Sequence, residues 1–263
     1  MTAASATEST SSQPALPLFY RDPQLLSSVE HAEWRLKDSD LSFAQDTPAV
    51  PIVVGEFTAA MRSYPILFAG DEEITPIALL GLDQRNLSVT DGAWNEALYV
   101  PAYVRRYPFG FIAHENKFAL AIDTASERLA KEGDEGVPLF DRDKPSEVTL
   151  QALRFCETYR NEALATREFC QALKAKALLI ERRADATLPD GNQLGLGGFK
   201  IVDTPRFQDL DADTVAEWHR KGWLALLHFH LASLDRFSDL LARRSALSPK
   251  NDSADPQRVA RSN

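Results

Sequence analysis

Strand-like and helix-like patterns occupy different parts of this chain, and that separation restricts the fold more than any other feature. Residues 49–57, 64–69 and 74–82 are short runs rich in branched and aromatic side chains, as strands are. Apolar residues recur every three or four positions in 146–180 and again in 211–244, as in helices. Because the two classes do not alternate, the sequence predicts an α+β fold: a mainly antiparallel sheet packed with helices, ending in a long C-terminal helix.

Two hairpins are predicted. Residues 109–113 and 118–122 flank a polar interval of hairpin length. Residues 184–188 and 194–202 are joined at 188–191 by Leu-Pro-Asp-Gly, which suits a tight turn. Both pairs favour antiparallel pairing.

The helical regions carry two further expectations. The helix over 146–180 is predicted to break near Ala165, and Gly222 either ends a first C-terminal helix or kinks a single long one. Cys156 and Cys170 fall in the first region, about 21 Å apart if the helix is continuous. A disulfide between them is therefore not expected, which suits a reducing compartment.

The two ends of the chain differ in composition from its middle. Residues 1–15 are rich in Ser, Thr and Ala, and residues 246–263 are similarly polar. Both are predicted to be disordered tails around a single α+β domain at 16–245.

The charge balance bears on possible partners. The chain has 29 Lys and Arg against 38 Asp and Glu, a net charge of −9. A negative protein repels phosphate backbones, so a nucleic acid is not expected as a partner. No apolar run is long enough for membrane insertion, and the N-terminus has no secretory signal pattern, which predicts a cytoplasmic protein.

The densest functional-looking segment is Tyr-Val-Pro-Ala-Tyr-Val-Arg-Arg-Tyr-Pro-Phe at 99–109. Guanidinium groups bind carboxylates or phosphates with two hydrogen bonds, and tyrosine adds a rigid surface with a polar tip. The segment therefore predicts a site for a small anionic or peptide-like ligand, or for an unknown protein partner. Its candidate residues are Tyr64, Tyr99, Tyr103, Arg105, Arg106 and Tyr107. The alternative is that the arginines pair with the chain's acids while the tyrosines pack.

Other motifs give no catalytic or cofactor signal. On a helix, His228 and His230 point to opposite sides, and His219 is too far from His230 to share an ion, so no metal is predicted and His230 is expected in the core. The glycines of 195–198 lack the order of a dinucleotide site, so no cofactor is predicted.

Several ordered pieces resemble the bacterial SapC family over residues 16–245. These pieces are an early Pro-Leu-Phe, PIVVGEF at 51–57, YPILF at 64–68, the 99–109 segment, GFKIVD at 198–203, and the closing HRKGWL and HLASL around His219 and His230. The resemblance implies a soluble accessory role in a surface-layer or outer-membrane uptake system. It carries no established catalytic residues.

Three functional hypotheses follow. The first is a non-enzymatic accessory protein that binds a ligand or partner through the tyrosine and arginine segment. The second is an enzyme acting on a small or peptide substrate with a site scattered in sequence, drawing on His114, His230 or Arg106. The third is a structural surface-layer component.

Overall fold

The structure is a computed structural model that describes residues 16–38, 40–114, 117–133, 135–187 and 193–247. The tail predicted at 1–15, nearly all of the tail predicted at 246–263, and the turn predicted at 188–191 lie outside these residues.

Fifteen strands are defined in the described chain, and all of their pairings are antiparallel. They are β1 Pro23–Leu25, β2 Arg35–Leu36, β3 Ala49–Pro51, β4 Ile66–Ala69, β5 Thr75–Leu79, β6 Val89–Thr90, β7 Ala93–Trp94, β8 Phe109–His114, β9 Lys117–Asp123, β10 Leu129–Ala130, β11 Val137–Pro138, β12 Phe140–Asp141, β13 Lys144–Pro145, β14 Leu179–Thr187 and β15 Gln193–Val202. The main sheet has five strands in the order β14-β15-β4-β5-β3. A second sheet has the order β1-β9-β8, a third has the order β10-β2-β11, and β6-β7 and β12-β13 form separate pairs.

The helices follow the predicted α+β pattern. They are α1 Phe57–Ala60, α2 Ala102–Arg105, α3 Glu147–Ala175, α4 Thr204–Gln208, α5 Ala212–Arg220, α6 Trp223–Ser233 and α7 Arg236–Ala246, with short 3-10 turns at Ser42–Ala44 and Val54–Glu56. The fold class is confirmed, and both predicted hairpins form, as β8-β9 and β14-β15.

The C-terminal helical region is bent into three segments. Gly222 separates α5 from α6 and has a φ of 73°, a left-handed conformation that glycine adopts without a side-chain clash. A second bend lies between Ser233 and Arg236. The expected break near Ala165 is wrong, because α3 is one continuous helix through that position.

The strand predicted over residues 49–57 is shorter than expected. The strand ends at Pro51, Ile52 and Val53 lead into the Val54–Glu56 turn, and α1 begins at Phe57. The apolar residues of this run are buried in a turn and a helix instead of a strand, so a short apolar run did not distinguish between these structures.

The main sheet is covered on both faces. In β4, Ile66 and Phe68 pack into the largest apolar cluster, while Leu67 between them packs into another with Leu240 of α7. Alternate residues of a strand point to opposite faces, so a strand buried on both sides reads as an unbroken apolar run. Trp223 and Leu227 of α6 belong to the first cluster.

Candidate functional site

The predicted site segment folds around one helical turn, α2. Pro101 precedes the turn and has no backbone N–H to leave unsatisfied there. Tyr103 and Arg106 are three residues apart, so they share a face of the turn, and the Arg106 guanidinium carbon lies 4.2 Å from the centre of the Tyr103 ring. Arg105 faces another direction and is exposed.

Arg106 is enclosed by rings of its own chain. Its guanidinium also lies 4.5 Å from the Tyr159 ring centre and 5.6 Å from that of Tyr20. Its buried Nε has no hydrogen-bond partner among the described residues. Cation–π contacts with three rings therefore hold Arg106 in place, and no carboxylate of the described residues pairs with it.

Tyr64 lies in the core. Its side chain has 0% exposure, its hydroxyl donates to the Tyr99 carbonyl oxygen at 2.7 Å, and it accepts from Trp94 Nε1 at 3.1 Å. Burial raises the pKa of Tyr64 to about 12. Tyr64 therefore supports the backbone of the predicted segment from beneath.

Tyr103 and Tyr107 are also buried, at 6% and 3% exposure. The Tyr103 hydroxyl donates to the Leu18 carbonyl oxygen at 3.0 Å. The Tyr107 hydroxyl donates to Asp123 Oδ2 at 2.8 Å. These bonds attach the predicted segment to the early part of the chain and to the end of β9.

A buried carboxylate organises the rest of the segment. Glu56, 5% exposed, accepts at Oε1 from the Tyr99 hydroxyl at 3.0 Å and from the Ala102 N–H at 2.6 Å. Its Oε2 accepts from the Val53 N–H at 3.0 Å. Burial raises the pKa of Glu56, although these hydrogen bonds and the charge of Arg105 oppose the rise.

Arg105 is positioned by two hydrogen bonds and an aromatic ring. Its Nε donates to the Val100 carbonyl oxygen and its Nη2 donates to the Tyr99 hydroxyl, both at 3.0 Å. The guanidinium carbon lies 5.2 Å from the Phe155 ring centre. A guanidinium has five N–H groups, so three of those on Arg105 have no hydrogen-bond partner in the described chain.

The exposed side of Arg105 opens onto a hollow of about 460 Å³, which we name the Arg105 groove. One wall is formed by Val53, by Gly55 and Glu56 of the Val54–Glu56 turn, and by Tyr99 and Arg105. The other is one face of α3, whose contributing residues recur every three or four positions. They are Gln151, Arg154, Phe155, Thr158, Tyr159 and Glu162.

The two walls of the groove are joined by hydrogen bonds from backbone to side chain. The Val54 N–H donates to Thr166 Oγ1 at 2.9 Å, and the Gly55 N–H donates to Glu162 Oε2 at 3.1 Å. A β-carbon at Gly55 would lie 2.6 Å from that carboxylate oxygen. Glycine therefore permits the close approach of this turn to α3.

A smaller hollow of about 210 Å³ lies on the other side of Arg105 and Phe155. Both residues line it, together with Arg106 and Tyr107. Of the six predicted site residues, Tyr99 and Arg105 thus line the groove, and Arg105, Arg106 and Tyr107 line its neighbour. Neither Tyr64 nor Tyr103 lines either hollow.

A larger hollow, of about 740 Å³, lies beyond Tyr107 and is lined by Arg21 and Arg128. Both guanidinium groups there donate to backbone carbonyl oxygens, of Ala125 and Tyr107 respectively. Arg105 also donates to a backbone carbonyl oxygen, that of Val100, but it is held in addition by the Tyr99 hydroxyl and the Phe155 ring.

Three further residues singled out in the sequence, His230, Cys156 and Cys170, are buried. His230 has 0% exposure, its Nδ1 contacts the Ile66 carbonyl oxygen at 2.8 Å, and its Nε2 accepts from the Val202 N–H at 3.1 Å, so the predicted core position is confirmed. Cys156 and Cys170 are free and buried. Burial raises their pKa values to about 11 and about 12. The described residues contain no group of three or more potential metal ligands.

Sequence reasoning missed Glu56, Phe155, Tyr159 and Glu162. Glu56 gave one signal, an acidic residue inside an otherwise apolar run. A buried acid requires internal hydrogen bonds, so such a position deserved a place among the candidates. The α3 residues gave no such signal, because the sequence predicted their helix but not the Val54–Glu56 turn that packs against it.

Comparisons with known proteins give one positive result. The SapC family matches residues 26–240. No curated protein and no solved structure matches the chain. Among the described residues, no helix is long and apolar enough to cross a membrane. Since the match covers most of the sequence, this chain belongs to the SapC family.

Proposed function

We propose that this protein is a non-enzymatic accessory protein that binds a small ligand with an anionic group in the Arg105 groove. The observation that carries the proposal is that the Arg105 side chain is fixed in place but not fully hydrogen-bonded. Its side chain is fixed by Val100, Tyr99 and Phe155, yet three of its N–H groups have no partner in the described chain. A guanidinium held in this way binds a carboxylate without first losing much side-chain freedom.

The size and lining of the groove support the same proposal. About 460 Å³ is within the usual range for small-molecule sites, which are apolar with a few placed polar groups. Phe155 and Tyr159 supply the apolar surface, and Tyr99 and Arg105 supply the polar groups.

The test uses purified full-length protein in native mass spectrometry, with Arg105→Ala compared with the unaltered chain. We expect the unaltered chain to retain a small molecule that dissociates on mild denaturation, and Arg105→Ala to lose it. Arg220→Ala is the matched control, since Arg220 is exposed on α5 and does not line the groove. Equal retention by the folded Arg105→Ala variant would contradict the proposal.

Family membership supports a finer proposal for the setting of this activity. We propose that the protein serves a bacterial surface-layer or outer-membrane uptake system from the cytoplasm. Cell fractionation tests the compartment: a cytosolic, monomeric protein fits an accessory role, whereas an exported, self-assembling one fits a structural surface component.

An enzyme is the second candidate, favoured by Glu56. A carboxylate with a raised pKa, hydrogen-bonded to a phenol in a groove, is a possible proton acceptor. His230 does not fit this role, because both of its ring nitrogens contact backbone groups inside the core. Recovery of a retained molecule with an unchanged mass after long incubation would favour binding over turnover.

A further inference from the structure

The Arg105 groove carries charges of both signs. Arg105 and Arg154 line it, as do Glu56 and Glu162. Arg154 is engaged by Glu147 at 2.7 Å, but neither groove carboxylate has an ion pair with a described Lys or Arg. Glu56 is buried, and three hydrogen bonds and the nearby charge of Arg105 offset only part of the cost of its own charge, while Glu162 is half-buried. A ligand cation beside them would therefore stabilise both carboxylates.

The aromatic rings of the groove already face arginines. The Arg105 guanidinium lies 5.6 Å and 5.2 Å from the ring centres of Tyr99 and Phe155, and that of Arg106 lies 4.5 Å from the ring centre of Tyr159. These rings therefore supply apolar surface to a ligand, and the carboxylates are the groups that favour a cation. The Tyr159 hydroxyl also has no hydrogen-bond partner within the described chain, so it can serve a ligand.

The anionic and cationic groups are close enough to act on one small molecule. The Tyr99 hydroxyl donates to Glu56 Oε1 and accepts from Arg105 Nη2, each at 3.0 Å. One oxygen atom therefore separates the carboxylate from the guanidinium. A ligand with an ammonium group and a carboxylate a few bonds apart can contact both.

From this juxtaposition we infer that the ligand is a zwitterion, an amino acid or very short peptide, whose carboxylate binds Arg105 while its ammonium group faces Glu56 and Glu162. The inference rests on the proposed function, because it assigns the ligand class of the same groove.

Three matched probes separate the inference from the function on which it rests: phenylalanine, N-acetyl-phenylalanine and phenylalanine methyl ester. The first has both charges, the second only the carboxylate and the third only the ammonium group. By calorimetry at neutral pH, we expect the full-length protein to bind phenylalanine at least about tenfold more tightly than either derivative, because each lost charge removes charge-assisted hydrogen bonds.

Variants test the assignment of each charge. Glu56→Gln or Glu162→Gln should remove the preference for phenylalanine over N-acetyl-phenylalanine. Both carboxylates accept a backbone N–H of the turn, and a glutamine oxygen can still accept it, so two variants are used: one at buried Glu56 and one at Glu162, which is partly exposed on α3. Arg105→Ala should weaken both carboxylate probes equally.

The outcomes distinguish the two proposals. Equal binding of phenylalanine and N-acetyl-phenylalanine, both lost in Arg105→Ala, would overturn the zwitterion but support the anion site. Tighter binding of the methyl ester than of phenylalanine would overturn both proposals. Failure of all three probes to bind would also overturn both.

Discussion

The imidazole ring of His230 connects α6 to two strands. The ring contacts the Ile66 carbonyl oxygen of β4 through Nδ1 and accepts the Val202 N–H of β15 at Nε2. This arrangement requires the neutral ring, with its single proton on Nδ1. Protonation would place a second proton on Nε2, against the Val202 N–H, inside the core.

The stability of the protein should therefore fall in mild acid. Burial lowers the pKa of His230 from 6.5 to about 4 in the folded protein. As the pH falls below 6.5, His230 binds a proton in the unfolded chain but stays neutral in the folded protein. The free energy of unfolding therefore decreases until about pH 4. The full loss from this group is roughly 3 kcal/mol. Urea unfolding at a series of pH values measures it.

Other groups titrate in the same range, so the contribution of His230 is read from variants. His230→Gln should show a shallower decrease between pH 6.5 and pH 4 than the unaltered chain. His219→Gln, a change at an exposed position on α5, should keep the original slope. Identical slopes in all three proteins would refute this account of His230.

At the scale of elements, the Val54–Glu56 turn depends on α3 for its hydrogen bonds. The N–H groups at the start of a helical turn have no partner within the turn. Thr166 supplies one acceptor at Val54, and Glu162 supplies another at Gly55. The position of one groove wall thus depends on side chains of the other.

Replacing Thr166 with Val should loosen this connection. The change keeps the shape of a buried side chain but removes the acceptor of the Val54 N–H, which should lower the free energy of unfolding by about 1–2 kcal/mol. Thermal or urea unfolding provides the measurement.

Thr158 on the same helix offers a matched control. Both threonines donate to the carbonyl oxygen four residues earlier, but Thr158 is exposed and holds no turn. Thr158→Val should therefore change the unfolding free energy by less than about 0.5 kcal/mol. A loss as large as that in Thr166→Val would show that the bond within the helix, and not the Val54 contact, is responsible.

The elements also explain how far the sequence could predict this fold. Long, strongly periodic segments such as α3 and the β8-β9 hairpin were predictable, because their patterns are set by local geometry. Residues 51–57 were not, because their turn depends on Glu56 and on α3 more than a hundred residues later.

The residues of the candidate site were likewise only partly predictable from local sequence. A local cluster of side chains identified Arg105 and Tyr99, which line the groove. The burial of Tyr64 and the enclosure of Arg106 could not be predicted, because both depend on distant segments. Two adjacent arginines thus have different surroundings: Arg106 lies among three aromatic rings, and Arg105 lines an open groove.

At the scale of the whole molecule, α3 joins two apolar clusters. Near its C-terminal end, Phe169 and Leu173 belong to the cluster of the main sheet and α6. Nearer its N-terminal end, Cys156 packs into the cluster of β8 and β9 that contains Ile122. A continuous helix shared by both clusters should make them unfold together, as one domain.

Phe169→Ala tests this coupling. Phe169 is fully buried and contacts the rings of Phe57 and Trp223, so its loss should lower the unfolding free energy by about 3–5 kcal/mol. If the clusters are coupled, hydrogen exchange measured through a urea titration should show β9 and α6 unfolding together at the same lowered urea concentration.

The control for that experiment is Leu164→Ala, a change at an exposed position of α3 that should leave both transitions within about 0.5 kcal/mol of their original values. An effect of Phe169→Ala confined to α6, with β9 unchanged, would divide the molecule into two independently folding parts.

The Arg105 groove would then lie along a boundary between the two parts. Its α3 wall begins at Gln151, near the second cluster, and its other wall leads through Glu56 into α1, which packs in the first cluster. Ligand binding in the groove would in that case stabilise the two parts against separation, whereas in a single cooperative domain it should raise both transitions equally.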